Sequence, residues 1–177
     1  MISSQIRFSL LLTITLVLAG CGFQLRGTGP QGTVVPDEWK SMHLATGNPN
    51  SEFSREITMR FAANGVEWME RKDANYVLQV QPERFRQRSL SLNSEARTAE
   101  FELTMSARFS VFDASGNAVM EDHDVSVIKQ MENDPRNVVG KAEEVQLLKA
   151  EMRTELAQQI MLRIGYFAAI TGSESAQ

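Results

Sequence analysis

The sequence contains few of the residues on which most enzyme chemistry depends, with one cysteine and two histidines among its 177 residues. A single cysteine cannot form a disulfide within the chain, so the fold must be stabilised by packing. The sequence has no zinc-protease helix motif, no nucleophile elbow and no phosphate-binding glycine loop. His123 lies among acidic residues, a pattern that suits a metal site but is more typical of a solvated strand face. We therefore expect no enzyme, no metal and no soluble cofactor.

The sequence also lacks an excess of positive charge, because its formal net charge is −4 at pH 7. A mildly acidic chain does not bind nucleic acid through its overall charge. An anionic ligand would have to be bound by a local cluster of basic side chains. The length suits one domain with a single core, and the sequence contains no internal repeat.

The one long apolar run lies near the N-terminus, where residues 8–18 follow Arg7. This run is too short to cross a bilayer as a permanent helix and is typical of a removable secretory signal. Cys21 follows two small residues, which indicates a bacterial lipoprotein with a diacylglyceryl group on the sulfur and an acyl chain on the freed amine. Several buried chains, at about 0.8 kcal/mol per CH₂, hold a protein firmly on a membrane. The alternative is an ordinary signal peptide followed by a chance cysteine.

Composition divides the chain into four segments. Glycine and proline are frequent just after Cys21, which favours a tether with little regular structure. The predicted segments are a signal peptide at 1–20, a lipidated tether at 21–38, an α+β domain at 39–170 and a flexible tail at 171–177.

Alternating apolar and polar residues predict about four strands. The clearest is the third, at 99–111, where the odd-numbered residues are apolar and the even-numbered residues are polar. Weaker patterns predict strands at 39–44, from residue 76 onward and at 119–131. Pro82 cannot donate a hydrogen bond to a neighbouring strand, so we expect a bulge or an edge position there.

Apolar residues at helical spacing predict two helices. The first is capped by Asn50 or Ser51 and stops at Asn64-Gly65, and the second is a long helix at about 138–168. Together these elements predict an α+β fold, a two-layer sandwich in which two helices pack on one face of a roughly four-stranded mixed sheet.

Basic residues gather at one predicted end of this sandwich. If consecutive strands alternate in direction, the hairpin tip at 93–96, the loop at 133–140 and the turn before the first helix lie at the same end. Arg97, Arg136 and Lys141 then come together, with Lys141 near a helix start, where the helix dipole favours an anion. These cations would suit two phosphate-like groups. The alternative is three unrelated surface charges.

Three arginines at alternate positions share one face of the predicted hairpin: Arg84, Arg86 and Arg88. A hairpin centred on Ser94 places Arg88 opposite Glu100 and Arg86 opposite Glu102, and such pairs help to fix strand register. The alternative is a stripe of arginines that binds a ligand.

Four short stretches of the chain resemble one known family. They are residues 21–26 after the predicted lipid site, Asn64-Gly65-Val66-Glu67 at the end of the first helix, Arg97-Thr98-Ala99-Glu100-Phe101 at the start of the third strand, and Asn133-Asp134-Pro135 before Lys141. In the order and spacing of these stretches, the chain resembles the LptE family of lipopolysaccharide-assembly lipoproteins, formerly called rare lipoprotein B.

The resemblance implies a non-enzymatic lipoprotein anchored on the periplasmic side of the outer membrane. It implies a protein that plugs and helps to assemble the LptD β-barrel translocon and binds lipopolysaccharide for delivery to the cell surface. In such a protein, basic residues at the hairpin and before the second helix meet the lipid A phosphates, which here points to Arg97 and Lys141, with Arg136 beside them. A competing hypothesis is an auxiliary lipoprotein of an ABC-type phospholipid transport system, which would co-purify with an inner-membrane complex.

Overall fold

The computed structural model describes residues 35–94, 96–133 and 138–174. The predicted signal peptide, the predicted lipidation residue Cys21 and the candidate ligand residue Arg136 lie outside the described residues. Among the helices of the described ranges, none combines the length and the apolar character needed to cross a membrane.

The described part of the chain forms two α-helices and six strands. The helices are α1 (Glu52–Ala63) and α2 (Val138–Glu174), and the strands are β1 (Ser41–Thr46), β2 (Glu67–Trp68), β3 (Tyr76–Val80), β4 (Arg84–Leu92), β5 (Thr98–Asp113) and β6 (Ala118–Glu132). A short 3₁₀ turn, Asp37–Trp39, precedes β1. The α+β class is confirmed, but the described sheet has six strands and not about four.

All six described strands belong to one mixed sheet. β1 runs parallel to β2 and β3, and the pairings of β5 with β3, β4 and β6 are antiparallel. β6 pairs with residues 100–112 of β5, which overlap the residues paired with β3 and with β4. β6 must therefore occupy one edge of β5, and β3 and β4 follow one another along the other edge.

The interruption between β3 and β4 lies at Pro82, which has no N–H to donate to β5. The register with β5 shifts by one residue across the break, because Val80 lies opposite Phe109 whereas Arg84 lies opposite Ser106. The sequence predicts the irregularity at Pro82 but not that it separates two strands. The other additional strand, β2, has two residues, too few to show an alternating pattern.

The local signals at α1 act as predicted. Ser51 Oγ accepts a hydrogen bond from the Ser54 N–H at 3.0 Å, which caps the helix. Gly65, just after the helix, has a φ of 89°, a left-handed conformation that commonly ends helices. The apolar residues four apart on this helix are all buried: Phe53, Ile57 and Phe61.

α2 begins at Val138 as predicted but continues to Glu174, beyond the predicted end at residue 168. Its 37 residues span about 55 Å at 1.5 Å per residue. The predicted apolar stripe is fully buried along the middle of the helix, at Met152, Leu156, Ile160 and Ile164. Val35, within the predicted tether, is also buried in this core.

Both helices contribute to one apolar core on the same face of the sheet. The predicted alternation along β5 is confirmed, since every second residue of its middle part is buried: Leu103, Met105, Ala107, Phe109 and Val111. The opposite face of β4, β5 and β6 is mainly polar, with Ile128 as an exposed apolar residue on it. The domain therefore presents an apolar sheet face to its helices and a charged sheet face to its surroundings.

Candidate functional site

The hairpin tip between β4 and β5 lies at the same end of the sheet as the start of α2, as the sequence predicts. Asn133 connects the two, because its N–H donates to the Ala99 carbonyl at 2.8 Å and its side-chain amide donates to the Thr98 carbonyl at 2.6 Å. The turn before α1 does not join them. β1 ends at Thr46, opposite Val80, so that turn lies beside the middle of the sheet and this part of the prediction is wrong.

Lys141 lies in the first turn of α2 and reaches toward the base of the hairpin. Its Nζ atom donates a hydrogen bond to Asn133 Oδ1 and lies 4.3 Å from the centre of the Phe101 ring. The ring face attracts the cation, and an ammonium group has three donors, so one bond to Asn133 leaves others for an anion. Lys141 is half-buried, and two contacts fix its position, one with Asn133 just after β6 and one with Phe101 of β5.

Arg97 lies at the hairpin tip, one residue before Thr98, and it is exposed. Its N–H donates to Asn93 Oδ1 at 2.9 Å, and its carbonyl accepts from the Asn93 N–H at 2.8 Å. The neighbouring Ala96 has a φ of 58°, which completes the turn without a glycine. Arg97 and Lys141 are thus placed at one end of the sheet through Thr98 and Asn133.

The predicted register of the hairpin is wrong by two residues. Arg88 lies opposite Glu102 and not opposite Glu100, and Arg86 lies opposite Thr104. The physical reason is that the Asn93–Arg97 hydrogen bond centres the hairpin one residue later than Ser94, which moves each partner by two positions.

Paired charges occupy the polar face of the sheet. Arg88 binds both carboxylate oxygens of Glu102, at 2.7 and 2.9 Å, and Arg108 binds both of Asp124, at 2.8 and 3.0 Å. The hydrogen bond from Arg88 lowers the pKa of Glu102. The hydrogen bond from Arg108 likewise lowers the pKa of Asp124. Both carboxylates therefore stay ionised at neutral pH, and cross-strand ion pairs account for part of the arginine pattern.

His123 takes part in local contacts on β6. Its Nδ1 lies 2.7 Å from the Glu121 carbonyl oxygen, and its ring lies 5.8 Å from that of Phe109. Within the ranges that the structure describes, no group of three or more His, Cys, Asp or Glu side chains is placed to hold a metal ion.

Two features of the site are absent from the sequence-based prediction. The sequence places Asn133 in a loop and Phe101 among the apolar residues of the third strand, and both in stretches that resemble the family, but it predicts no contact of either with Lys141. The signal for Asn133 is its position directly after a strand, where asparagine side chains often bond nearby backbone groups. The contact of Lys141 with Phe101 joins residues 40 positions apart, and no local pattern indicates it.

Comparison with known proteins matches most of the chain to one family. The model of the LptE family, described as lipopolysaccharide-assembly, matches residues 39–164. The LPS-assembly lipoprotein LptE of Yersinia enterocolitica is 28% identical over 168 residues, which cover 90% of this chain and 75% of that protein. The corresponding protein of Yersinia pestis is 29% identical over 157 residues, which cover 84% and 70% of the two chains.

Two solved structures of lipoproteins have a fold similar to that of this chain. The crystal structure of rare lipoprotein B from Shewanella oneidensis superimposes with a TM-score of 0.63 at 25% identity, covering 77% of this chain and 98% of that one. A solution structure of lipoprotein B from Nitrosomonas europaea gives a TM-score of 0.69 at 17% identity, covering 81% and 93% of the two chains. The second likeness concerns the fold alone.

Proposed function

Because the chain belongs to the LptE family of lipopolysaccharide-assembly lipoproteins, we propose that it plugs and helps to assemble an LptD-type β-barrel and binds lipopolysaccharide there. Family membership places the protein among the lipoproteins of the Gram-negative envelope. We further propose that it is anchored to the periplasmic side of the outer membrane through lipid on Cys21 and acts by binding, without catalysis. The family match gives no support to the phospholipid-transport alternative.

The polar face of the sheet supports the role as a plug. A barrel lumen is lined by polar side chains and water, so its occupant needs a polar outer surface. Here the ion pairs Arg88–Glu102 and Arg108–Asp124 lie on that face. Their charges are compensated within the domain, so contact with a polar lumen leaves no isolated charge from these pairs.

The placement of Lys141 carries the proposal for lipopolysaccharide binding. Its ammonium is held between Asn133 and the Phe101 ring, with donors left over, at the same end of the sheet as the exposed Arg97. Charge-assisted hydrogen bonds to phosphate are among the strong ones in proteins. We propose that Lys141 and Arg97, together with Arg136, which lies between them in the sequence, bind the lipid A phosphates.

A charge-reversal pair tests the binding role. Lys149 offers a matched control, because it lies on the same helix with its Nζ 4.5 Å from the centre of the Phe85 ring. We expect Lys141→Glu to weaken binding of purified lipopolysaccharide by roughly tenfold or more, and Lys149→Glu to leave it nearly unchanged. Equal effects of the two variants would show that overall charge, and not this site, determines binding.

Two further measurements test the anchor and the partner. Mass spectrometry of the mature protein should find Cys21 at the N-terminus carrying acyl chains, and an unmodified position 21 would contradict the anchor. Gentle solubilisation should co-purify the protein with a large outer-membrane barrel. Recovery with an inner-membrane transport complex would support the phospholipid alternative instead.

A further inference from the structure

The two long edges of the sheet differ in whether other elements cover them. β6 forms one edge. On the other side, β1 covers β3 but ends at Thr46, opposite Val80. Beyond that point no strand in the described ranges pairs with the outer edge of β4 (Arg84–Leu92). An unpaired edge offers backbone donors and acceptors to another strand unless something covers it.

The alternation of the sheet identifies which backbone groups face outward. The Gln81 N–H donates to the Arg108 carbonyl, so the even-numbered residues of β5 direct their backbone groups toward β3 and β4. Arg84, Arg86 and Arg88 lie opposite such residues and face β5. The intervening residues of β4 therefore direct their backbone groups outward: Phe85, Gln87 and Ser89.

Side chains of α2 cover part of the outer edge of β6, at Asp124 and Ser126. Gln159 donates to the Ser126 carbonyl at 3.2 Å, and Arg163 donates to the Asp124 carbonyl at 3.0 Å. These side chains occupy two of the outward-facing acceptors and hinder the approach of a further strand. For β4, no hydrogen bond from a described side chain reaches a backbone group between residues 84 and 92. Side chains of α2 therefore hinder strand addition at β6, whereas the outer edge of β4 is open to another strand.

The side chains beside the open edge carry positive charge. Arg88 is paired with Glu102, whereas Arg84 and Arg86 are exposed and neither has a carboxylate of the described residues within 4.0 Å. Arg84 is still near enough to Asp124 to contribute to the lowered pKa of that carboxyl group. They line a groove of about 520 Å³ on the polar face. A strand added next to β4 would place its alternate side chains about 5 Å from this row, within reach of a guanidinium group. Carboxylates at those positions would neutralise the two arginines.

We infer that the outer edge of β4 pairs with an extended acidic segment of the barrel partner, which receives backbone hydrogen bonds from β4 and ion pairs from Arg84 and Arg86. This inference rests on the proposed function, since it takes the barrel as the partner. It assigns the open edge to the protein partner and leaves the lipopolysaccharide phosphates to the Lys141 end of the sheet.

Amide hydrogen exchange tests the pairing. The lipidated full chain is measured alone and in its purified complex with the barrel, with exchange resolved to single residues. We expect the outward-facing amides of Phe85, Gln87 and Ser89 to exchange roughly tenfold or more slowly in the complex. The outward-facing amides of Ile128 and Gln130 on β6 are the control. Equal slowing on both edges would mean simple enclosure by the barrel and would overturn strand pairing.

Charge reversal tests the ion pairs. Arg86→Glu should reduce the yield of complex by roughly tenfold, whereas Arg71→Glu, the same change at another exposed arginine, should leave it near the wild-type level. Slow exchange of the β4 amides with lipopolysaccharide alone would also overturn the inference and assign the arginine row to the glycolipid. If the complex forms without protection of β4, the inference fails while the proposed function stands. If the wild-type chain does not bind the barrel, both fail.

Discussion

The ammonium group of Lys141 lies 4.3 Å from the centre of the Phe101 ring, so that the first turn of α2 meets the start of β5. The contact joins the helix to the hairpin at the end of the sheet where the exposed Arg97 lies. Because Asn133 also bonds both Lys141 and the Thr98 carbonyl, the position of the cation depends on the fold around it.

Removal of the Asn133 side chain should leave the ammonium group of Lys141 less firmly held. Asn133→Ala loses the bonds to the Thr98 carbonyl and to the ammonium group, and we expect it to reduce the free energy of unfolding by about 1 kcal/mol and to weaken lipopolysaccharide binding. Asn117→Ala is the control, since Asn117 bonds Asp113 across the β5–β6 turn at 2.9 Å. It should cost similar stability in urea unfolding but leave binding unchanged. A binding loss in both variants would contradict the role of Asn133.

Arg153 joins three parts of the domain. On α2 it forms ion pairs with Glu52 of α1 and with Glu83 between β3 and β4, and its side chain is 16% exposed. Arg153→Met keeps the apolar stem but removes both pairs, and we expect it to lower the free energy of unfolding by about 1.5–3 kcal/mol.

The exposed pair between Lys72 and Glu70 provides the comparison for Arg153. Lys72→Met should change stability by less than about 1 kcal/mol, because water screens such surface pairs. Urea unfolding at neutral pH measures both variants. If Arg153→Met lowered the free energy of unfolding as little as Lys72→Met, the ion pairs of Arg153 would not stabilise the packing of α2 on the rest of the domain.

The regular parts of the fold could be predicted from the sequence because each rests on a local repeat. The alternation on β5 and the stripe on α2 extend over many residues, and the signals at Ser51 and Gly65 each act within one helical turn. The sequence predicts an irregularity at Pro82 but not a break between two strands, and it does not predict the two-residue β2, since neither leaves a repeat to recognise.

The site was harder to predict because it depends on long-range pairing. Ala96 adopts a left-handed conformation without glycine, so the sequence does not reveal where the hairpin is centred. A one-residue error there moved the predicted partner of Arg88 from Glu102 to Glu100. The contact of Lys141 with Phe101 likewise requires the helix and the hairpin to be docked first.

Acidification should reduce the stability that the ion pairs on the polar sheet face contribute to the fold. Hydrogen bonds from arginine lower the pKa of Glu102 and of Asp124 in the folded protein, so these carboxylates stabilise the fold above the ordinary carboxyl range, about pH 4. That stability is lost as the pH falls through the lowered pKa values. In urea unfolding from pH 7 to pH 3, we expect Glu102→Gln to be less stable than wild type at pH 7 and to lose less stability on acidification.

Glu143→Gln is the control for the acid series. Glu143 is exposed on α2 and forms no ion pair with the described residues. This variant should follow the wild-type stability curve across the whole range. If Glu102→Gln followed the same curve, the ion pair with Arg88 would contribute nothing to the pH dependence.

Substitution of two uncrowded glycines, Gly116 and Gly47, tests how much a left-handed backbone conformation costs in stability. Gly116, in the β5–β6 turn, has a φ of 87°, whereas Gly47 has no such conformation, and a Cβ built at either position meets no atom within 4 Å. Gly116→Ala should therefore cost about 1–2 kcal/mol through left-handed strain alone. Gly47→Ala should be neutral or slightly stabilising, because it restricts only the unfolded chain. Thermal or urea unfolding measures both, and equal stability of the two variants would contradict the strained turn.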